Sequence, residues 1–125
     1  MANEQLVKVG VNIILMVEDE ILLLKRQNTG YYDGFYDVAS GIVSNIETPT
    51  KAVSRVLKDK LGLDANEDNF HYAVTVCHLL KNTGKLDLFF VLYKVDEGGV
   101  EIKDTKNCSQ VRWFNINGLP ENIVP

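Results

Sequence analysis

The sequence has little of several features that mark particular classes of protein. Its 125 residues include two cysteines, three prolines and one tryptophan, and the net charge of -4 gives no basic excess. An acidic chain argues against binding to a nucleic acid polymer, which needs a basic surface. The apolar run at residues 11–17 is too short to cross a bilayer, and no basic segment typical of a secretion signal precedes it. We therefore expect a cytoplasmic protein with neither a membrane nor a nucleic acid polymer as partner.

The two cysteines, Cys77 and Cys108, lie 31 positions apart, without the short spacing of a zinc site. In the absence of a secretion signal we expect two reduced thiols rather than a disulfide. The hydrophobic content of 46% and the charged content of 24% are ordinary for a globular protein. The length predicts a single domain over residues 1–125.

The pattern of apolar residues predicts a mixed sheet with at least one helix packed on it. Strands are predicted at residues 7–17, 21–26, 70–80, 86–95 and 111–114, with a short strand near Val38. A turn is predicted at residues 82–85 and a chain break at 97–99, and Leu119-Pro120 is predicted to open a final helix. This order is neither a pure strand–helix alternation nor all-β, so the expected class is α/β (α+β).

The clearest helix signal lies between Thr48, which suits an N-cap, and Gly62, which suits a helix stop. At about 100° per residue, the apolar residues of this segment share one arc. They are Ala52, Val53, Val56, Leu57 and Leu61. Lys60 falls in the middle of the arc, where a lysine is rare unless it is paired or faces a cleft. We expect this face to border a functional cavity; the alternative is a lysine stem lying on apolar surface with its amine in water.

The spacing of residues 41–63 resembles the signature of the Nudix (MutT-like) hydrolases, G-x5-E-x7-R-E-U-x-E-E-x-G-U, where U is a bulky aliphatic residue. The matching positions are Gly41, Glu47, Arg55, Leu57, Gly62 and Leu63. The three helical glutamates of the family fall instead on Val56, Asp59 and Lys60. Residues 22–26, 34–41 and 113–122 also resemble the family, so the likeness covers nearly the whole chain. It implies an α/β/α sandwich in which helices flank a mixed sheet.

The resemblance implies hydrolysis of a nucleoside diphosphate linked to another group, with Mg²⁺ or Mn²⁺ neutralising the diphosphate of a nucleotide or nucleotide-sugar. Mg²⁺ demands several oxygen ligands, and helical positions three and four apart place them on one face. By resemblance the metal ligands are Glu47, Asp59 and the carbonyl of Ser40. The catalytic residues are Glu47, Asp59 and Arg55, which is expected to brace one of the two acids. The alternatives are a Glu47 favoured by the helix dipole and a solvated Asp59.

Three residues are predicted to contact the substrate: Arg26, Asn122 and Lys60. Arg26 ends a strand beside the signature and is suited to phosphate or base. Asn122 occupies a position where some family members read a purine edge with an amide, which donates and accepts at once. Ordinary surface polarity is the alternative for both. His71 and His78, seven positions apart, are predicted to lie on opposite faces of a strand and receive no role. We expect a monomer or a homodimer.

Two of the three helical acid positions have lost their negative charge. Val56 can neither orient nor deprotonate water, and Lys60 reverses the charge. Two unit charges about 4 Å apart interact by about 4 kcal/mol at an effective dielectric near 20, so repulsion of a dication is roughly 8 kcal/mol. Two functions therefore stay open. The first is a hydrolase with weakened or altered metal-dependent activity, for which nucleotide-pool sanitising is one candidate role. The second is a catalytically silent nucleotide-binding module. In either, Lys60 is able to meet a phosphate as a point charge.

Overall fold

The computed structural model describes residues 7–79, 84–93 and 106–124, and the fold below refers to these ranges. The strands are β1 (Val7–Val17), β2 (Glu20–Arg26), β3 (Tyr36–Asp37), β4 (Ala39–Ile42), β5 (Phe70–Leu79), β6 (Gly84–Leu92) and β7 (Cys108–Asn115). One α-helix, α1, spans Pro49–Leu61, and a 3-10 turn spans Glu67–Asn69. The predicted mixed sheet with a packed helix is confirmed. Within the described ranges, no helix combines the length and the apolar character that crossing a bilayer requires.

Strand β1 organises the sheet because it pairs with three other strands. It runs parallel to β6 from Val7, opposite Gly84, to Leu15, opposite Leu92. It is antiparallel to β4, and it pairs with β2 only at its end, where Met16 lies opposite Ile21. Beyond that point β2 pairs with β3 and β7, while β5 forms the edge beside β6. Among the described residues, the two strand groups are therefore paired with each other only at the ends of β1 and β2.

Helix α1 begins and ends where the sequence predicts. The Thr48 hydroxyl accepts a hydrogen bond from the Lys51 N–H at 3.3 Å, which satisfies one of the free donors at the helix start. Gly62 is left-handed, with φ of 67°, and its N–H bonds the Lys58 carbonyl at 3.0 Å. A glycine adopts this conformation at little cost, so it ends the helix.

The apolar arc of α1 forms the centre of the core. All five of its residues are 1% exposed or less. They belong to one cluster with the β1 residues Val11, Ile13 and Leu15, which alternate along that strand and so face the helix. Burial of this arc leaves the end of α1, at Lys60, beside strands β3 and β4.

The prediction that Leu119-Pro120 opens a final helix is wrong. Residues 119–124 form no helix, and Ile123 pairs in parallel with Tyr36. The Tyr36 N–H donates to the Asn122 carbonyl at 2.8 Å, and the Tyr36 carbonyl accepts from the Val124 N–H at 2.9 Å. The backbone groups that a helix would use internally are therefore committed to another segment.

Other predicted boundaries moved or lie outside the described residues. Strand β6 begins at Gly84, inside the predicted turn, and Val38 falls between β3 and β4. Outside the described ranges lie residue 80, residues 82–83 of the predicted turn, residues 94–95 and the predicted break at 97–99.

The prediction that His71 and His78 lie on opposite faces is wrong, because β5 contains a bulge. The register shifts between Tyr72 and Val74. His71 lies opposite Val91, whereas His78 lies opposite Lys85. Partners across a ladder share a face, and the two β6 residues are an even number of positions apart, so both histidines face the same side.

Candidate active site

A cavity of about 250 Å³ opens where the end of β2, the β3–β4 segment and the end of α1 meet. Three of the residues selected from the sequence line it: Arg26, Ser40 and Lys60. Pockets that enclose a whole small-molecule ligand usually measure about 300–1,000 Å³. This cavity is therefore suited to part of a nucleotide rather than all of it.

Lys60 is half-buried at the C-terminal end of α1 and faces this cavity. The helix places it there because Val56 and Val53, on either side of it around the arc, are fully buried. Burial raises the pKa of Asp37, and the charge of Lys60 is among the influences that oppose this rise.

Asp37 is a cavity residue that the sequence reasoning missed. Its Oδ1 accepts a hydrogen bond from the Val38 N–H at 2.8 Å, and its Oδ2 lies 3.4 Å from Arg26 Nη1. Burial raises the pKa of Asp37 above its usual value, while the Val38 bond and the charges of Arg26 and Lys60 act in the opposite direction. The one available signal was that Asp37 is the only acid in residues 34–41.

Arg26 is fixed by the loop that follows β2. Its Nε donates to the Tyr31 carbonyl at 2.7 Å, and its Nη2 donates to the Thr29 hydroxyl at 3.2 Å. The loop is itself closed by Asp33, which accepts hydrogen bonds from Thr29 and Gly30. These bonds, chiefly the one from the Thr29 hydroxyl, lower the pKa of Asp33. The guanidinium is thus held at the cavity before any ligand arrives.

Glu47 and Arg55 form an ion pair that closes the signature loop onto α1. Arg55 Nη2 lies 2.7 Å from Glu47 Oε1, and Arg55 Nε lies 3.2 Å from Oε2. The same Nη2 donates to the Ile42 carbonyl at 2.8 Å, and the Ser44 N–H donates to Glu47 at 3.0 Å. The hydrogen bond from Arg55, with that from Ser44, lowers the pKa of Glu47 from 4.5 to about 2. Arg55 thus braces Glu47, one of the two acids expected, and Glu47 is not in the cavity lining.

Val56 and Asp59 occupy opposite environments on α1. Val56 is 1% exposed, and a Cβ added to Gly41 would lie 2.5 Å from its Cγ2. The position that carries a glutamate in the family signature is therefore a core position here, packed directly against Gly41. Asp59 is exposed and is not in the cavity lining.

The structure does not bring Asn122 into the cavity lining. Its Nδ2 donates to the Gly34 carbonyl at 2.9 Å, and its own carbonyl accepts from Tyr36. It therefore anchors residues 119–124 to the segment that leads into the signature. Tyr36 is buried against Phe114, while Tyr31 and Tyr32 are exposed.

Asp87, a buried acid, belongs to a different cluster on the sheet. His78 Nε2 lies 2.9 Å and Lys85 Nζ 3.3 Å from its carboxylate, and Asn12 donates to it at 3.3 Å. A Cβ on the neighbouring Gly10 would lie 2.6 Å from Asp87 Oδ1, so this approach requires a glycine. With these partners, and outside the lining of the cavity, it adds no ligand to the site.

The residues present retain only part of the divalent-metal site that the resemblance implies. In the described parts of the chain, no group of three or more His, Cys, Asp or Glu side chains is placed to hold a metal ion. Glu47 is engaged by Arg55, and Lys60 brings a positive charge to the cavity. Of the other expected donors, Ser40 lines the cavity and Asp59 does not. The one carboxylate in the lining, Asp37, already lies 3.4 Å from Arg26, so little negative charge is left there for a hard cation.

Comparison with known proteins agrees with the signature. The model of the NUDIX domain family matches residues 6–125. A Methanocaldococcus jannaschii protein named ADP-ribose pyrophosphatase is 26% identical over 113 residues, which are 90% of this chain and 64% of that protein. This chain thus spans just under two thirds of that relative's length.

Two solved structures share the fold. A MutT Nudix hydrolase from Burkholderia pseudomallei superposes with a TM-score of 0.83 and 20% identity, over 97% of this chain and 92% of that chain. The Nudix domain of Shewanella oneidensis NrtR, in complex with ADP ribose, superposes with a TM-score of 0.72 and 17% identity, over 93% and 76%. Because the family model matches almost every residue, this chain belongs to the NUDIX domain family.

Proposed function

We propose that this chain hydrolyses a nucleoside diphosphate linked to another group, with a metal-dependent activity weaker than that of a Nudix enzyme that retains every acid. One observation carries the proposal: the cavity beside the signature loop holds Arg26 and Lys60 together. Positive side chains in a partly enclosed site attract the diphosphate that defines this substrate class. The names of the relatives, which mention ADP-ribose pyrophosphatase and bound ADP ribose, support the same class.

Each site residue has a proposed task. Arg26 and Lys60 bind phosphate oxygens, and Arg55 holds the signature loop through Glu47. For Mg²⁺ or Mn²⁺, the donors available are Asp59, the Ser40 carbonyl and Glu47, which would have to exchange Arg55 for the metal. That exchange and the nearby ammonium are the reasons to expect weak metal affinity.

A second candidate is a nucleotide-binding module without turnover. The burial of Val56 beneath Gly41 favours this second candidate. Val56 stands where the signature has a glutamate, and a valine has no group able to orient or deprotonate water. The two candidates predict the same ligand class and differ only in hydrolysis.

The test is product release from ADP-ribose, nucleoside triphosphates and dinucleoside polyphosphates, with Mg²⁺ and with Mn²⁺. We expect slow turnover of at least one compound, well below the ordinary enzyme range of about 1–1,000 per second. Binding with no detectable release would favour the second candidate, and neither binding nor release would reject both.

Charge reversal at Lys60 tests the reason for the weakness. Lys60→Glu is expected to raise Mn²⁺ affinity at least about tenfold, because tenfold needs only about 1.4 kcal/mol of the repulsion. Lys51→Glu makes the same charge change at an exposed position of α1 and is the control. Adding Val56→Glu to Lys60→Glu should raise affinity further while lowering stability, since Val56 is buried. Equal affinity of Lys60→Glu and the control would mean that the metal lies elsewhere.

A further inference from the structure

We propose that this cavity binds a phosphate group directly through Lys60 and Arg26, with no divalent cation between protein and phosphate. The proposal deepens the proposed function and rests on it for the identity of the ligand as a diphosphate ester. It follows from the charge of the cavity. The family signature has a glutamate at the position of Lys60, whereas this chain places two positive side chains, Lys60 and Arg26, in the lining.

The charge of the cavity lining is the first argument. Two basic side chains line it, Arg26 and Lys60, against one carboxylate, Asp37. Lys25 also borders the cavity, but its Nζ lies over the Tyr36 ring, 5.8 Å from the centroid. Such a lining repels a dication and attracts a polyanion. Lys60 is half-buried, so its attraction for a phosphate is screened less than that of a lysine fully in water.

The second argument is that the Arg26 guanidinium and the backbone that carries Lys60 are both held in place before a ligand binds. Arg26 is fixed by the Tyr31 carbonyl and the Thr29 hydroxyl, and Lys60 is carried on the last turn of a helix whose neighbouring residues are buried. An ordered guanidinium loses little freedom when it binds, and its planar donors suit a phosphate.

Asp37 has the role of internal counter-charge. Its carboxylate lies beside Arg26 and within the field of Lys60, so it balances the two cations while the cavity holds no anion. A phosphate that enters must share these cations with Asp37. Removing the negative charge of Asp37 should therefore tighten phosphate binding.

The size of the cavity is the third argument. Its volume of about 250 Å³ is below the usual range for a whole ligand, about 300–1,000 Å³. A phosphate-sized group therefore enters, and the nucleoside remains outside the lining residues.

The experiment is titration calorimetry of the full chain with inorganic pyrophosphate in excess EDTA. We expect measurable binding without a divalent ion. Lys60→Met should weaken it at least tenfold, Lys60→Arg should keep it within about threefold, and Asp37→Asn should tighten it several-fold. Lys51→Met, which removes the same charge from an exposed site on α1, should leave binding within about twofold.

Three results would overturn the proposal: no binding until Mg²⁺ is added, equal affinity of Lys60→Met and Lys51→Met, or weaker binding by Asp37→Asn. Circular dichroism of each variant shows whether it is folded, and Asp37→Asn carries the test if Lys60→Met is not. The proposed function fails separately. If pyrophosphate binds in EDTA but no diphosphate ester binds or reacts, the cavity assignment stands and the proposed function does not. If esters are hydrolysed with Mg²⁺ and pyrophosphate requires the metal, the reverse holds.

Discussion

Replacing Gly41 with alanine should destabilise the protein, because Val56 occupies the space that the new methyl group needs. The added carbon would lie 2.5 Å from Val56 Cγ2, whereas ordinary contacts of a Cβ begin near 3.4 Å. The backbone at Gly41 is not left-handed, so an alanine there meets no conformational penalty of its own. The cost is therefore steric, and it reports the contact between the signature loop and α1.

The magnitude follows from how little Val56 can move. A helical valine has one strongly preferred rotamer, and this one is 1% exposed with core residues around it. Overpacking a well-packed core typically costs about 1–3 kcal/mol, and we expect Gly41→Ala to fall in that range. In a Val56→Ala background the two methyl groups are gone, so the same change at Gly41 should cost less than about 0.5 kcal/mol.

Urea unfolding of the four proteins in this double-mutant cycle measures both costs. We expect a coupling energy of about 1–2 kcal/mol between positions 41 and 56. If Gly41→Ala costs the same whether residue 56 is valine or alanine, the contact does not limit the loop, and the account of Val56 as a core residue beneath Gly41 is wrong.

Three further predictions concern local interactions. The pKa of Glu47 is about 2 in the folded protein against an ordinary 4.5, so the stability that its ionised form gives to the fold is complete above pH 4.5 and is lost as the pH falls toward 2. Glu47→Gln should therefore be less stable than the parent at pH 7. Urea unfolding at a series of pH values should show this difference vanish between pH 4.5 and pH 2. Thr48→Ala should cost about 1 kcal/mol in thermal or urea unfolding, and Thr48→Ser, which keeps the capping hydroxyl, should cost little. Asp87→Ala should lower the free energy of unfolding by about 1–2 kcal/mol, because it removes the partner of His78 and Lys85; the cost stays modest because both are half-exposed. A cost indistinguishable from zero would mean that this cluster does not contribute to folding.

The sequence does not predict the role of a residue whose partner comes from another part of the chain, as Asp37 and Asn122 show. The sequence offered no reason to select Asp37, because its role depends on two residues that only the fold brings to the same cavity. These are Arg26, from another strand, and Lys60, from the helix. For Asn122 the sequence suggested a contact with a base, whereas folding ties its amide to Gly34. In both cases the deciding partner lies outside the local sequence.

The sequence by itself determined the bounds of α1, its buried arc and the spacing that indicated the family. These follow from local physics, because a cap, a left-handed glycine and a 3.6-residue period act within a few neighbouring residues. Only the tertiary structure decided that Val56 is packed under Gly41, that Arg55 engages Glu47, and that residues 119–124 pair with Tyr36 instead of forming a helix. Each of those outcomes is a contact that no single helical turn or strand contains, from 8 positions apart for Glu47 and Arg55 to 87 for Tyr36 and Ile123. Its geometry exists only after the strands have paired and the helix has packed on them.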